Sequence, residues 1–240
     1  MRFTETYTSG THTSIKFDIY QPNVILRYKG IIQIHHGLCE YSERYKKFAE
    51  YLSHEGFIVV VSDFPGHGTS LYQFEQGYFG KGNALDTLVE DIQRLRHIIT
   101  KRYEDLPYFM LGVDLGSLVL LKYAGVYGDY INGMILLGTC MKNSFYYQMK
   151  MIVDLNILLH GQMNHSRVIK KAIDLFLQRN LNGNYKMTNT KEVNLYMEDP
   201  LTDFVYTNQA YRDILDYIKY TSDEEHLKQI PQYLPVYLLS

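Results

Sequence analysis

The spacing of apolar residues changes several times along the chain, and each change marks an element. Residues 2–8 and 13–20 alternate polar and apolar around Ser9, Gly10 and Thr11, the pattern of an opening β-hairpin at a sheet edge. Gly30–His35 (GIIQIH) and Phe57–Ser62 (FIVVVS) are short, unbroken, β-branched runs, as expected of strands covered on both faces of a parallel sheet. Between them Tyr45, Phe48, Ala49 and Leu52 recur at helical spacing, with Ser42 placed to cap the helix and Gly56 to stop it. Leu85, Leu88, Ile92, Leu95 and Ile99 predict one face of a helix over 84–101. Tyr108–Leu111 then reads as a strand, 115–126 as a helix and Gly133–Leu137 (GMILL) as a strand. Strand and helix alternating through short connections predict an α/β fold: a doubly wound, mostly parallel sheet with helices on both faces.

From Met141 to about Phe204 the strand signals stop, and the chain reads as a helical insertion rich in Met and Tyr. Met151, Val153, Leu155, Leu158 and Leu159 predict one apolar helix face. Behind a capping Ser166, the set Val168, Ile169, Ala172, Ile173, Phe176 and Leu177 predicts another. Such faces either pack on each other and on the sheet or roof an apolar pocket. Helices over 208–220 and 224–230 follow, then a last strand in Leu234–Leu239 (LPVYLL). The expected plan is a core in 1–141, a helical cap in 142–204 and the core continued in 205–240.

Composition narrows the classes of function. A chain of 240 residues, 46% apolar, is long enough for one full core. Its formal charge of −2 leaves no cationic surplus for nucleic acid. No stretch approaches the roughly 18–20 apolar residues of a membrane span. The two cysteines, Cys39 and Cys140, offer neither a disulfide framework nor zinc spacing, which fits a reducing, cytoplasmic setting. No cofactor or metal is implied. The expected partner is a small hydrophobic or acyl ligand.

In an open α/β sheet the chemistry gathers at the carboxyl ends of the strands. After the first buried run comes His35-His36-Gly37-Leu38-Cys39-Glu40, where Gly37 permits a tight turn that aims a main-chain N–H, that of Leu38, at a developing oxyanion. Adjacent histidines point apart on extended chain, so they make a poor metal pair. His67, between two glycines, reads as a turn residue. Leu111-Gly112-Val113-Asp114-Leu115-Gly116 has the strand, sharp turn and helix context of a nucleophile elbow, with glycines two residues to either side of the centre. That centre is Asp114, not serine. Ser117 sits a helical turn further on, where its hydroxyl should face away.

HHGLCEYSERY resembles the HG-x-x-E-x-S-x-R-Y signature of the monoacylglycerol lipase, lysophospholipase and serine aminopeptidase-like branch of the α/β-hydrolases. DFPGHGTS resembles its D-x-x-G-H-G-x-S loop, and Tyr196–Arg212, with Asp199-Pro200 and Tyr211-Arg212, resembles the segment after its cap. The resemblance implies the α/β-hydrolase fold, an oxyanion hole from the N–H groups of Leu38 and Leu115, a nucleophile at position 114, and a Glu40–Arg44 ion pair fixing the oxyanion loop. It also implies a triad acid and histidine beyond the last strand. With Asp114 at the elbow and Ser240 at that strand's end, the chain is expected to lack all three triad groups and to be C-terminally truncated, its last strand an exposed edge. A carboxylate beside oxyanion donors competes with an acyl oxyanion for them. Three readings follow: a catalytically inactive relative of carboxylic-ester hydrolases, a binding module for a small hydrophobic or acyl ligand, and a dehalogenase-like enzyme using Asp114 as a carboxylate nucleophile.

Overall fold

The structure, a computed structural model, describes residues 1–23, 27–71, 73, 75–140, 144–180 and 190–239. Among them, β1 (Arg2–Thr8), β2 (Ser14–Tyr20), β3 (Gly30–His35), β4 (Phe57–Ser62), β5 (Tyr108–Val113), β6 (Gly133–Leu137) and β7 (Val236–Leu239) form one sheet. Its order is β1-β2-β4-β3-β5-β6-β7. The hairpin β1–β2 joins antiparallel to β4, and every later pairing is parallel. The buried runs were legible because a strand covered on both faces has no polar side to show. In β4, Ile58 and Val60 turn to one core while Val59 and Val61 turn to the other.

The larger core lies under α2 (Ala84–Arg102), α3 (Leu115–Tyr127) and α7 (Asn208–Thr221). The smaller one, on the opposite face, is closed by α1 (Lys46–His54) through Tyr45, Ala49 and Leu52. Two details of α1 differ from expectation. Ser42 opens a 3₁₀ turn (Ser42–Tyr45) ahead of the helix and makes no capping bond; instead its N–H donates to Asp63 Oδ1 at 2.8 Å. Phe48 is exposed, because Tyr45, Ala49 and Leu52 already form the stripe that meets the sheet. At the sheet's far end β7 pairs with β6, and all four of its residues are exposed, as is Ile135 of β6.

Between β6 and α7 run α4 (Tyr146–His160), α5 (Arg167–Asn180) and α6 (Thr190–Glu198), followed after α7 by the short α8 (Glu224–Leu227). The expected cap boundary at residues 141–142, Ser240 and the side chain of Leu177 lie outside what the structure describes. In α4 the buried positions are Tyr146, Met149 and Val153, whereas Met151, Leu155, Leu158 and Leu159 face outward. The expected single face was a composite: at 3.6 residues per turn, Val153 lies opposite Met151 and Leu155. In α5, Ser166 does cap the helix, accepting from Ile169 N at 3.3 Å, and Ile169, Ile173 and Phe176 are buried. Val168 does not join them, since it is 73% exposed beside Ile169 at 1%. Ile169→Ala is therefore expected to cost about 3 kcal/mol and Val168→Ala less than about 0.5 kcal/mol. Urea denaturation of the two variants checks this, and equal costs would contradict the packing of α5. Among the described residues no helix is long and apolar enough to cross a membrane.

Candidate active site

The parallel register of β3 and β5 sets His35 beside Gly112, so the loop after β3 and the turn after β5 meet at the sheet's carboxyl edge. Asp114 makes that turn with φ 50° and ψ −108°, and α3 begins at the next residue. With ψ at −108° this positive φ lies outside the left-handed helical region that aspartate sometimes adopts, so the turn is strained. The flanking glycines make the turn sterically feasible. A Cβ on Gly112 would stand 2.6 Å from Gly116 O, and one on Gly116 would stand 2.4 Å from His35 O. The Asp114 N–H donates to Leu137 O at 2.8 Å, which ties the turn to β6.

The Asp114 side chain is half-buried and turns toward the loop after β3. Its Oδ2 accepts from Leu38 N at 3.3 Å. Leu38 is one of the two expected oxyanion donors; the other, Leu115, opens α3, where first-turn amides are left over by intrahelical bonding. Gly37 fits closely here, since a Cβ on it would lie 3.2 Å from Asp114 Cβ and 3.0 Å from Glu40 Oε2. Glu40 holds the loop from below: its Oε2 accepts from Gly37 N at 3.0 Å and from Tyr45 OH at 2.7 Å. The expected ion pair with Arg44 is present at 3.8 Å, longer than a hydrogen bond, and Arg44 also lies over the Tyr196 ring at 4.9 Å. Tyr45, which closes the HG-x-x-E-x-S-x-R-Y signature, is thus a firmer restraint on Glu40 than Arg44 is.

The histidines near this loop are structural. His36 Nε2 accepts from Phe64 N at 2.9 Å, so its Nδ1–H donates to Gly37 O at 2.9 Å. His67 is fully buried, and burial, helped by neighbouring His36, pushes its pKa down to about 3. The same burial takes His35 down to about 3. Asp63 organises the following loop, accepting from Ser42 N at 2.8 Å and from Ser70 Oγ at 3.2 Å. Its carboxyl is raised above the usual range by desolvation, against those hydrogen bonds. Ser117 is buried and donates to Asp114 O at 2.6 Å, so its hydroxyl is turned onto the backbone beneath the elbow. Tyr206, 167 residues from Cys39, carries no sequence signal, yet its OH accepts from Cys39 N at 2.9 Å. No group of three or more His, Cys, Asp or Glu side chains among the described residues could hold a metal ion. A groove of about 450 Å³ beside Arg44, lined by Glu43, Lys46, Lys47, Leu195 and Asp199 among others, is charged rather than apolar.

A mostly parallel sheet whose β5 ends in a strained elbow at the N-terminus of a helix, facing a glycine-bearing loop from β3, defines an α/β-hydrolase fold. Residues 27–239 match the family described as "Serine aminopeptidase, S33", and the chain belongs to that family. It is 29% identical over 109 residues to the monoglyceride lipase of Mus musculus, a match covering 45% of this chain and 34% of that protein. It is 30% identical over 108 residues to protein phosphatase methylesterase 1 of Candida albicans, covering 45% of this chain and 28% of the relative. The matched stretches thus span about a third of those relatives' length. A thermostable carboxyl esterase from Bacillus coagulans, solved with glycerol, superposes with a TM-score of 0.82 at 23% identity, over 98% of this chain and 78% of its own.

Proposed function

We propose that this protein is a monoacylglycerol-lipase-like α/β-hydrolase that does not turn over esters at its elbow, and that acts in the cytoplasm. The observation that carries this reading is the 3.3 Å contact from Leu38 N to Asp114 Oδ2. A donor that would stabilise the oxyanion of a tetrahedral intermediate already faces a negative oxygen from within the chain. Removing one such donor from a working hydrolase costs about 10²–10³ in kcat. Here it is withdrawn in the same residue change that replaces the serine. Position 114 alone is enough for this effect, whichever residues lie beyond β7.

The loop facing the elbow is held in a defined shape, with Glu40 tied to both Gly37 and Tyr45. This supports binding of a small hydrophobic or acyl ligand as a second reading. The carboxylate-nucleophile reading has less support. It asks for a histidine to activate water against an ester of Asp114, and His36 and His67 both spend their ring nitrogens on backbone and Tyr206. Hydrolysis of a short-chain aryl ester tests the main reading. The expected rate equals that of the Asp114→Ala variant; sustained turnover that disappears in that variant would overturn it.

A further inference from the structure

Tyr206 is fully buried among His67, Phe79, Phe204 and Tyr211, in the segment that leads from α6 to α7. The position of each proton around its hydroxyl follows from the partners. His67 Nδ1 lies 3.0 Å from Pro65 O, a carbonyl that can only accept, so Nδ1 carries the hydrogen. The ring is neutral, its pKa pushed down to about 3 by burial, so Nε2 is an acceptor. Tyr206 O–H therefore donates to His67 Nε2 at 2.7 Å, and its oxygen accepts from Cys39 N–H at 2.9 Å. Burial raises the Tyr206 phenol well above its ordinary value, so the hydrogen stays on it.

This chain of bonds ends one residue from Leu38. Cys39 has φ 52°, a strained conformation for an L residue, and the bond to its N–H fixes the 38–39 peptide, which only the φ and ψ of Leu38 separate from the 37–38 peptide that carries the Leu38 N–H. Two further bonds link the loop after β3 to the segment leaving α6: Cys39 Sγ donates to Phe204 O at 3.4 Å, and Tyr41 OH donates to Asp199 Oδ2 at 2.7 Å. We infer that Tyr206 is a positioning residue: with His67 behind it, it holds the loop after β3 so that Leu38 N–H meets Asp114. It also couples the segment leaving α6 to that loop. A ligand that displaces residues 204–206 releases Cys39 N–H and frees Leu38 in the same step.

The inference rests on the Leu38–Asp114 contact of the proposed function, and the test separates the two. The amide proton of Leu38 is followed by NMR in four proteins: the full chain, Asp114→Asn, Tyr206→Phe and the double variant. Removing the charge weakens a charge-assisted bond, so Asp114→Asn should move this proton upfield. In the Tyr206→Phe background the same change should move it less than half as far. Tyr211→Phe is the control, because this buried phenol packs edge-on against Tyr206 without bonding Cys39 or His67, and its loss should leave Leu38 unchanged. No response to Asp114→Asn in the full chain would remove the underlying contact. A full response that persists in Tyr206→Phe, or is lost equally in Tyr211→Phe, would overturn the role given to Tyr206.

Discussion

Gly116→Ala is expected to cost about 2–6 kcal/mol of stability, although it adds one methyl group to a helix. The new Cβ would lie 2.4 Å from His35 O and 2.8 Å from His35 C, backbone atoms of a central strand that cannot step aside. Relief requires α3 to lift off β3, which breaks the contact of Gly116 N with His36 O at 3.1 Å and opens the core around Leu115 and Leu118. Overpacking alone costs about 1–3 kcal/mol, and a displaced helix adds cavity terms of similar size. The sum is a large fraction of the roughly 5–15 kcal/mol by which a domain is stable at all. Gly125→Ala, in the same helix, should do the opposite. Its Cβ would meet Gln229 Cβ at an ordinary 3.5 Å, so the gain in helix propensity, about 0.5–1 kcal/mol, is realised. Far-UV circular dichroism with urea titration of both variants reads the contrast. A Gly116→Ala protein as stable as the parent would mean that α3 does not sit this close to β3.

The difference between these two glycines also shows what was legible beforehand. Gly112 and Gly116 flank a residue that had to turn sharply between a strand and a helix, and that local demand is written in consecutive residues. The strands were legible for a related reason: burial on both faces erases polar positions. α4 was not, because two opposite apolar faces, one buried and one exposed, look alike in sequence, and only packing against α7 distinguishes Val153 from Leu155. Ser42 misled for a third reason. A serine ahead of a helical pattern is ordinarily a cap, but Asp63 takes its N–H and the first turn tightens into 3₁₀. Around the site, the expected Glu40–Arg44 pair formed, yet the shorter bonds to Glu40 come from Tyr45 and Gly37. Tyr206 could not have been found, because its only claim on Cys39 is a contact across 167 residues.

Asp114→Gly is expected to give the site an affinity for carboxylates that the parent lacks, by about 100-fold for octanoate. Two effects act in the same direction. The variant frees Leu38 N–H, which the parent directs at Asp114 Oδ2, and leaves it beside the first-turn amides of α3, where helix N-termini favour anions. It also removes a like charge from the place the ligand's head would occupy. Two unit charges 4 Å apart repel by about 4 kcal/mol at an effective dielectric constant near 20, and the half-exposed setting of Asp114 reduces this toward the value of about 1 kcal/mol in water. Together with the recovered donor, about 2–3 kcal/mol is a reasonable total, which is the stated factor. Glycine rather than alanine is the right replacement, because at φ 50° it relieves the turn instead of straining it. Equilibrium dialysis with labelled octanoate measures the effect, with octanol as the uncharged reference, whose binding should change far less. Octanoate binding to the parent as tightly as to Asp114→Gly would mean that the carboxylate does not guard this site, and the case against ester turnover at position 114 would lose its electrostatic half.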